Sequence, residues 1–319
     1  MVRKSVLIVG ILILFVGAAL SSGCVNEKNQ PVDWFVSLRV PNSRQYLIYQ
    51  SNQNTFRQTD ESLLEMMVSK LSWDKGGLLM WNDQTVNGDG PTSTAHSKGI
   101  LHWEETNGFL FVHSIPQFAE TNGKTVSGST RTTSNYGQSI VCFTLNSRAQ
   151  ADKIIEHLVA QKSNFYEDTF GVGKVKKGSY SEYIQNKELP FGFEMVTKTY
   201  GHTVHPFEGM LTSAFKVGWL ANTWGRPYMG SSCDASNKIS NIKLKNLGGV
   251  VMKDTQDHSK WALSYGDKRR LVCIGDLNHM ESQKNRGGSF ICRDDPVLYK
   301  AMFSLILDDE CQISKNFEP

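Results

Sequence analysis

The sequence contains the tripeptide His-Ser-Lys twice, at 96–98 and again at 258–260. On a strand, residues two apart face the same side of a sheet, so each tripeptide places an imidazole beside an ammonium. The imidazole offers a nucleophile or a proton donor and the ammonium a fixed positive charge, a combination that suits the chemistry of a phosphodiester. One such tripeptide arises by chance in many chains. Two of them, each followed by an apolar run with a polar residue near its end, predict a functional pair.

A further hydrogen-bonding side chain follows each tripeptide, His113 in the first half of the chain and Asn278 in the second. Each half thus offers an imidazole, an ammonium and one more polar group. Converging from two halves, these groups are expected to surround one tetrahedral phosphate. The candidate site residues are His96, Lys98, His113, His258, Lys260 and Asn278.

The segments between these residues predict strands interleaved with helices. Alternating or buried apolar runs predict strands near 32–40, 46–49, 77–83, 109–112, 140–145, 271–276 and 289–292. Helical apolar spacing predicts helices at 62–71, 149–160 and 296–307, and the apolar segment 212–223 is also interpreted as a helix. Such alternation favours an α/β layered fold, with mixed sheets flanked by helices.

The second half of the chain loosely repeats the plan of the first, with the division near Asn164. We therefore predict an N-terminal half at 24–163 and a C-terminal half at 164–319. The two related halves are expected to face each other, and each gives one His-x-Lys tripeptide to a shared cleft.

The chain begins as an exported protein does. Arg3 and Lys4 precede an apolar run at 6–20 and the small residues at 21–23, the order of a secretory signal peptide. The apolar run is shorter than the roughly 20 residues that span a bilayer. Residues 1–23 are therefore predicted to be a cleaved signal peptide, which leaves no membrane segment, and a membrane anchor is the less favoured interpretation. A lipid anchor at Cys24 is also conceivable, but Ser21 stands where a large aliphatic residue is expected.

The charge balance excludes a broad basic surface at neutral pH. The formal net charge of +3 falls to +1 when Arg3 and Lys4 leave with the signal peptide. The eight histidines add positive charge below a pKa of about 6.5. A polyanion is therefore expected to bind better in acid than at neutral pH.

All six cysteines follow the predicted signal peptide. An even count in an exported chain predicts three disulfides, and the sequence leaves their pairing open. Zinc binding is the competing interpretation. It is disfavoured because no two cysteines have Cys-x-x-Cys spacing and no histidine pair completes a metal set.

Several longer motifs are similar to the deoxyribonuclease II family. Those in the second half are Asp257-His258-Ser259-Lys260-Trp261, Cys273-Ile274-Gly275-Asp276-Leu277-Asn278 and Gln283-Lys284-Asn285-Arg286-Gly287-Gly288. Those in the first half are His96-Ser97-Lys98-Gly99, Phe111-Val112-His113-Ser114-Ile115-Pro116, Pro31-Val32-Asp33-Trp34-Phe35, Trp81-Asn82-Asp83 and Tyr136-Gly137-Gln138. The resemblance runs from about Cys24 to Cys311 in the family's order.

This resemblance implies a phospholipase D-like architecture in which two pseudo-symmetric halves share one active site. It also implies an acid endonuclease that uses neither metal nor cofactor and leaves 3′-phosphate ends through a phosphohistidine. We assign His258 as the nucleophile and His96 as the general acid, a hypothesis that is reversible because the site is nearly symmetric. Lys98 and Lys260 would stabilise the charge on the phosphate oxygens.

The resemblance carries further implications for the remaining candidates. His113 and Asn278 would be extra hydrogen-bond donors at the site. The family's disulfides correspond to the pairs Cys24–Cys142, Cys233–Cys311 and Cys273–Cys292.

The other histidines are given ordinary roles. His157 is expected on the solvated side of its helix, and His102 and His279 in surface or supporting positions. His202 and His205 are interpreted as incidental loop residues, with DNA contact as the alternative.

DNA, held through its backbone without sequence preference, is the expected partner, and no obligate protein partner is predicted. No Asn-x-Ser/Thr glycosylation site occurs in the chain, although lysosomal members of the family are typically glycosylated. Secretion is therefore favoured, and the lysosome is the second choice. Two alternatives stay open, an inactive DNA-binding or effector protein of the same fold and a phosphodiesterase that acts on RNA or lipid.

Overall fold

The computed structural model describes residues 22–60, 62–71, 76–85, 88–90, 93–121, 126–127, 135–174, 178–224, 227, 229–266 and 268–317. The predicted signal peptide, apart from its last two residues, lies outside the described residues. Within these segments, no helix has the length and apolar composition required to cross a bilayer.

The first sheet is antiparallel and has eight strands in the order β12-β4-β7-β8-β11-β1-β2-β3. The pairs β5–β6 and β9–β10 form short ribbons beside it. The strands are β1 (Trp34–Arg39), β2 (Gln45–Gln50), β3 (Arg57–Asp60), β4 (Gly76–Asn82), β5 (Gln84–Thr85), β6 (Gly88–Asp89), β7 (Lys98–Glu104), β8 (Asn107–His113), β9 (Glu120–Thr121), β10 (Val126–Ser127), β11 (Gln138–Leu145) and β12 (Phe165–Asp168).

The second sheet is mixed and has nine strands, in the order β13-β14-β20-β19-β18-β15-β16-β17 with β21 also paired to β16. Only the β15–β16 pair among its described strands is parallel. The strands are β13 (Tyr183–Asn186), β14 (Phe193–Lys198), β15 (Gly218–Asn222), β16 (Ile239–Leu247), β17 (Val250–Lys253), β18 (Trp261–Tyr265), β19 (Leu271–Gly275), β20 (Gly288–Asp294) and β21 (Ile306–Asp309).

Helices are few and short. They are α1 (Ser62–Val68), α2 (Arg148–Ala160), α3 (Thr212–Phe215), α4 (Pro296–Phe303) and α5 (Ile313–Asn316), with a π-helix at Pro206–Leu211 and 3₁₀ turns at Val172–Lys174, Pro190–Gly192, Asp254–Gln256 and Glu281–Asn285. The α/β class is therefore correct, but sheets dominate. The helix predicted at 212–223 is wrong beyond Phe215, because Gly218–Asn222 is a buried strand. The helix predicted at 296–307 ends at Phe303, and strand β21 follows it.

The two sheets pack face to face around one shared hydrophobic core. Alternate residues of β8 divide between its faces, so Leu110 and Val112 enter this core while Phe109 and Phe111 enter a second cluster beneath α1. Across the core, the ring of Phe193 stacks on that of Phe143 with centroids 5.1 Å apart. Strands buried on both faces are apolar at nearly every position, which explains the continuous apolar runs in the sequence.

Helix α2 lies between the sheets and contributes to both. Ala151, Ile154 and Leu158 face the shared core. His157 is buried as well, and its Nδ1 lies 2.7 Å from Thr197 Oγ1 on β14. The prediction that His157 is solvated is therefore wrong, because the polar side of α2 packs on the second sheet.

Three disulfides form in the pairings that the resemblance implies, and each joins residues of the same half of the chain. Cys24–Cys142 attaches the start of the described chain to β11, and Cys273–Cys292 joins the neighbouring strands β19 and β20. Cys233–Cys311 is the third.

Candidate active site

Each His-Ser-Lys tripeptide leads into a central strand of its own sheet. Lys98 is the first residue of β7, and Lys260 immediately precedes β18. The backbone N–H of His96 donates to Gly287 O, and that of His258 donates to Gly137 O, both at 2.9 Å. Gly287 belongs to the second half of the chain and Gly137 to the first, so each half holds the other half's histidine in place.

The two tripeptides lie close enough for their charges to interact. Burial and the nearby Lys98 ammonium lower the pKa of Lys260 to about 7. Lys260 in turn helps to lower the pKa of His96, and Lys98 helps to lower that of His258. These four side chains therefore share one electrostatic environment, as expected of groups that contact a common anion.

An ion cluster surrounds the first tripeptide. The Asp83 carboxylate pairs with Lys98, lies 2.9 Å from Arg286 Nη2 and stands 3.9 Å from His96 Nε2. Burial alone would raise the pKa of Asp83, but Lys98, His96 and Arg286 hold that pKa well below its usual range. Burial lowers the pKa of His96, and Asp83 opposes this effect.

A chain of hydrogen bonds joins Ser97 of the first tripeptide to Asp276 in the second half of the chain. Gln161 Nε2 donates to Ser97 Oγ at 3.0 Å, and Ser289 Oγ donates to Gln161 Oε1 at 2.6 Å. The Ser289 N–H then donates to the carboxylate of Asp276 at 3.0 Å. Burial raises the pKa of Asp276 to about 7, although Lys98 and Lys260 oppose the rise.

A buried carboxylate organises the second tripeptide. Asp257 Oδ2 accepts hydrogen bonds from Asn222 Nδ2 at 2.9 Å and Ser259 Oγ at 2.7 Å, and Lys245 Nζ lies 3.2 Å away. Asp257 and Lys245 are both fully buried. This carboxylate therefore binds the buried framework of the tripeptide, and its charge also opposes the lowering of the pKa of His258.

Aromatic rings contact His258. The Tyr136 ring stacks on it with centroids 4.0 Å apart, and the Trp224 ring lies 5.0 Å away. Burial lowers the pKa of His258 to about 4, and Lys260 adds to the effect. Its Nε2 has no hydrogen-bond partner in the described part of the chain. Asn278 contacts the backbone of Trp224: its Oδ1 accepts a hydrogen bond from the Trp224 N–H at 3.2 Å.

His113 is held as a neutral donor. Its Nδ1 accepts the backbone N–H of Ile115 at 3.1 Å, so the proton of the neutral ring resides on Nε2. Burial, followed by the charge of Lys98, lowers the pKa of His113 to about 3. Nε2 has no partner among the described residues and is available to donate.

Sequence reasoning named the two tripeptides, His113 and Asn278, but it assigned no role to the residues that position them. Asp83, Asp257, Asp276 and Arg286 all occur within the motifs quoted above, and Tyr136 begins another. The charged residues within these motifs were the signal in the sequence that could have indicated positioning residues. Their partners lie far away in the chain, up to 203 residues for the Arg286–Asp83 pair.

The arrangement suits an anion with a reactive phosphorus, since two imidazoles and three cationic side chains meet in a largely buried site. Among the described residues, one cluster has side-chain atoms close enough together to bind a metal ion. It consists of His205, Glu208 and His279 and contains none of the candidate catalytic residues.

Comparisons with known proteins agree with this chemistry. A family model described as Deoxyribonuclease II matches residues 23–311. Plancitoxin-1 of Acanthaster planci is 27% identical over 93% of this chain and 94% of its own length. Deoxyribonuclease-2-beta of Mus musculus is 27% identical, with 89% and 91% covered. Deoxyribonuclease-2-alpha of Rattus norvegicus is 24% identical, with 96% and 98% covered.

Proposed function

The chain belongs to the deoxyribonuclease II family, and we propose that it is an endonuclease that hydrolyses DNA without a metal ion and leaves 3′-phosphate ends. The observation that carries this proposal is the shared environment of two His-Ser-Lys tripeptides from opposite halves of the chain. Because cationic side chains contact the backbone phosphate, we expect little sequence preference.

In the first step, a ring nitrogen of His258 attacks the phosphorus. A nitrogen–phosphorus bond forms, the bond to the 5′ oxygen breaks, and His96 donates its proton to that departing oxygen. His258 Nε2 has no hydrogen-bond partner among the described residues, which supports its role as the nucleophile. The carboxylate of Asp83, 3.9 Å from His96 Nε2, supports His96 as the group that holds a proton.

In the second step, His96 removes a proton from water, and the water oxygen attacks the phosphohistidine. The nitrogen–phosphorus bond breaks and the phosphate stays on the 3′ oxygen. Lys98, Lys260 and Arg286 supply the positive charge that metal ions supply in two-metal nucleases. His113 Nε2 and the Asn278 amide are further donors to the phosphate oxygens.

The same charges account for an acidic optimum. Burial and the lysines lower the pKa of both imidazoles in the free protein. A bound phosphate adds negative charge and raises both pKa values, so the pair takes up one proton when DNA binds in acid. Activity is expected to decrease as the pH rises through the apparent pKa of the pair.

We also propose that the two halves are related by phospholipase D-like pseudo-symmetry. In support, five adjacent strands of each sheet are arranged in the same way relative to their order in the chain. These strands are, from one side of each sheet to the other, β1, β11, β8, β7 and β4 in the first sheet and β14, β20, β19, β18 and β15 in the second. We place the boundary between the two halves near Asn164. We also propose that the protein is secreted, with the lysosome as the second choice of location. Strand β12 of the first sheet begins just after that boundary, at Phe165.

A plasmid-nicking assay with the purified protein at pH 5, with and without EDTA, tests the proposal. We expect nicking that EDTA does not reduce, ends that need phosphatase treatment before 3′ extension, and a phosphorylated His258 in acid-quenched reactions. If the wild-type protein does not nick DNA, the proposal that it is an enzyme is wrong. If EDTA abolishes the activity, the metal-independent mechanism is wrong. Parallel assays with RNA and phosphatidylcholine test the alternative substrates.

A further inference from the structure

A second cluster of imidazoles and a carboxylate includes His279, the residue directly after Asn278. His205 precedes the π-helix Pro206–Leu211, Glu208 lies within that helix, and His279 follows Asn278. The ligand atoms of the two histidines and Glu208 lie within 4.8 Å of one another. Nothing in the mechanism above uses them.

Hydrogen bonding fixes the proton on His279. The amide nitrogen of Asn241 donates to Met229 O at 2.8 Å and to Glu310 Oε2 at 3.0 Å, so its Oδ1 must be the acceptor toward His279. His279 Nδ1 lies 2.8 Å from that oxygen and therefore carries the proton. The Nε2 of neutral His279 is then a bare lone pair.

That lone pair faces a carboxylate. His279 Nε2 lies 2.9 Å from Glu208 Oε1, and His205 Nδ1 contacts Glu208 Oε2. Two acceptors at such a distance require a cation between them, either a proton or a metal ion. The other ring nitrogen of His205 is buried and has no partner among the described residues.

From this geometry we propose that His205, Glu208 and His279 form a Zn²⁺ site. Two imidazole nitrogens and one carboxylate oxygen match the preferences of Zn²⁺, and a hydrogen bond that fixes the tautomer of a ligand histidine is usual in such sites. The histidine side chains are 7% and 0% exposed whereas Glu208 is 37% exposed, so solvent reaches the fourth position from the Glu208 side.

The sequence did not indicate this set because His279 lies 71 residues after Glu208 and only the fold joins them. The ion would fasten the π-helix to the loop that carries Asn278. The site is separate from the proposed nuclease mechanism, because no step of that mechanism uses the side chains of His205, Glu208 or His279.

Metal titration of the disulfide-bonded protein tests the site. After chelator treatment and buffer exchange at pH 7.5, Co²⁺ should give the visible absorption band of a four-coordinate ion, saturate at one equivalent and be displaced by Zn²⁺. Glu208→Gln and His205→Asn should each weaken Zn²⁺ affinity by at least about tenfold. Zn²⁺ should also raise the melting temperature of the wild type more than that of Glu208→Gln.

Two matched controls locate the ion. His202→Asn removes an imidazole from the same loop, and His258→Asn removes one from the phosphodiester site; both should keep the one-equivalent band. Anomalous scattering at the zinc edge from zinc-soaked wild-type crystals locates the ion without any substitution. A wild type that binds no stoichiometric metal, or an ion found elsewhere, would overturn the proposal and leave Glu208 as the hydrogen-bond partner of the two histidines.

Discussion

The two His-Ser-Lys tripeptides have the same letters but different surroundings. Around the first, the Asp83 carboxylate points at the functional groups and contacts Lys98 and Arg286. Around the second, the Asp257 carboxylate is bound within a buried framework that includes Lys245, and its charge opposes the lowering of the pKa of His258. Two aromatic rings, those of Tyr136 and Trp224, also flank His258.

In the proposed mechanism, this difference gives the two tripeptides separate tasks. A carboxylate beside His96 favours its protonated form, which a proton donor requires. A stacked imidazole without such a carboxylate at its free nitrogen stays neutral and keeps its orientation, which a nucleophile requires. In the proposed mechanism, the surroundings and not the tripeptides themselves distinguish the acid from the nucleophile.

The largest expected effect comes from removing each imidazole in turn. His258→Ala and His96→Ala should each lower kcat on plasmid DNA by about 10⁴-fold or more. Thymidine 3′-(4-nitrophenyl phosphate) separates them, since nitrophenolate departs without a proton. His96→Ala should release the first equivalent of nitrophenolate at a nearly wild-type rate and then turn over slowly, because His96 also activates water in the second step. His258→Ala should release no such burst.

The opposite pattern would reverse the assignment of the two roles. Equal loss of the first nitrophenolate equivalent in both variants would argue against any division of labour. Near-ultraviolet circular dichroism of each variant verifies that the fold is intact.

The next effect concerns the carboxylate under the second tripeptide. Asp257→Asn leaves the fully buried Lys245 ammonium uncompensated, and breaking such a pair costs about 3–5 kcal/mol. Urea unfolding should report this decrease in the free energy of unfolding. Because the loss comes from the unpaired charge, Asp257→Asn combined with Lys245→Met should restore part of it, and a double variant no more stable than the single one would contradict this account.

A smaller effect is expected from the carboxylate beside the first tripeptide. Asp83 raises the pKa of His96, so Asp83→Asn lowers that pKa further and less of the general acid is protonated at a given pH. We expect kcat at pH 5 to decrease by about 10–100-fold and the alkaline limb of the pH–rate profile to move to lower pH. A profile that loses amplitude without moving would mean that Asp83 acts only on Lys98 and Arg286.

The contrast between the two regions also shows how far the sequence is informative. Strands such as β1, β8, β11 and β19 were predictable because their apolar runs are short and lie between turn residues. The segment Gly218–Asn222 was not, because a short apolar run buried on both faces carries no periodicity that separates strand from helix. His157 failed for a related reason, since its partner Thr197 lies 40 residues away on the other sheet.

The same limit applies to the site. The tripeptides were visible because their chemistry is contiguous in the chain. Asp83 and Asp257 are both single acidic residues within quoted motifs, and only the fold directs one at the imidazole and the other at the framework. The difference in role was therefore outside the reach of spacing arguments.

The smallest expected effect concerns the ring that stacks on His258. Tyr136 is 37% exposed, so its removal leaves the core intact, and a stacked aromatic pair contributes about 0.5–1.5 kcal/mol. Tyr136→Ala should therefore lower kcat by about two- to tenfold through looser orientation of the nucleophile, whereas Tyr136→Phe should retain full activity. Single-turnover rates of phosphohistidine formation measure this step directly. If Tyr136→Ala instead changes only KM, the ring contacts DNA rather than orienting His258. The aromatic surroundings of the second tripeptide would then serve substrate binding.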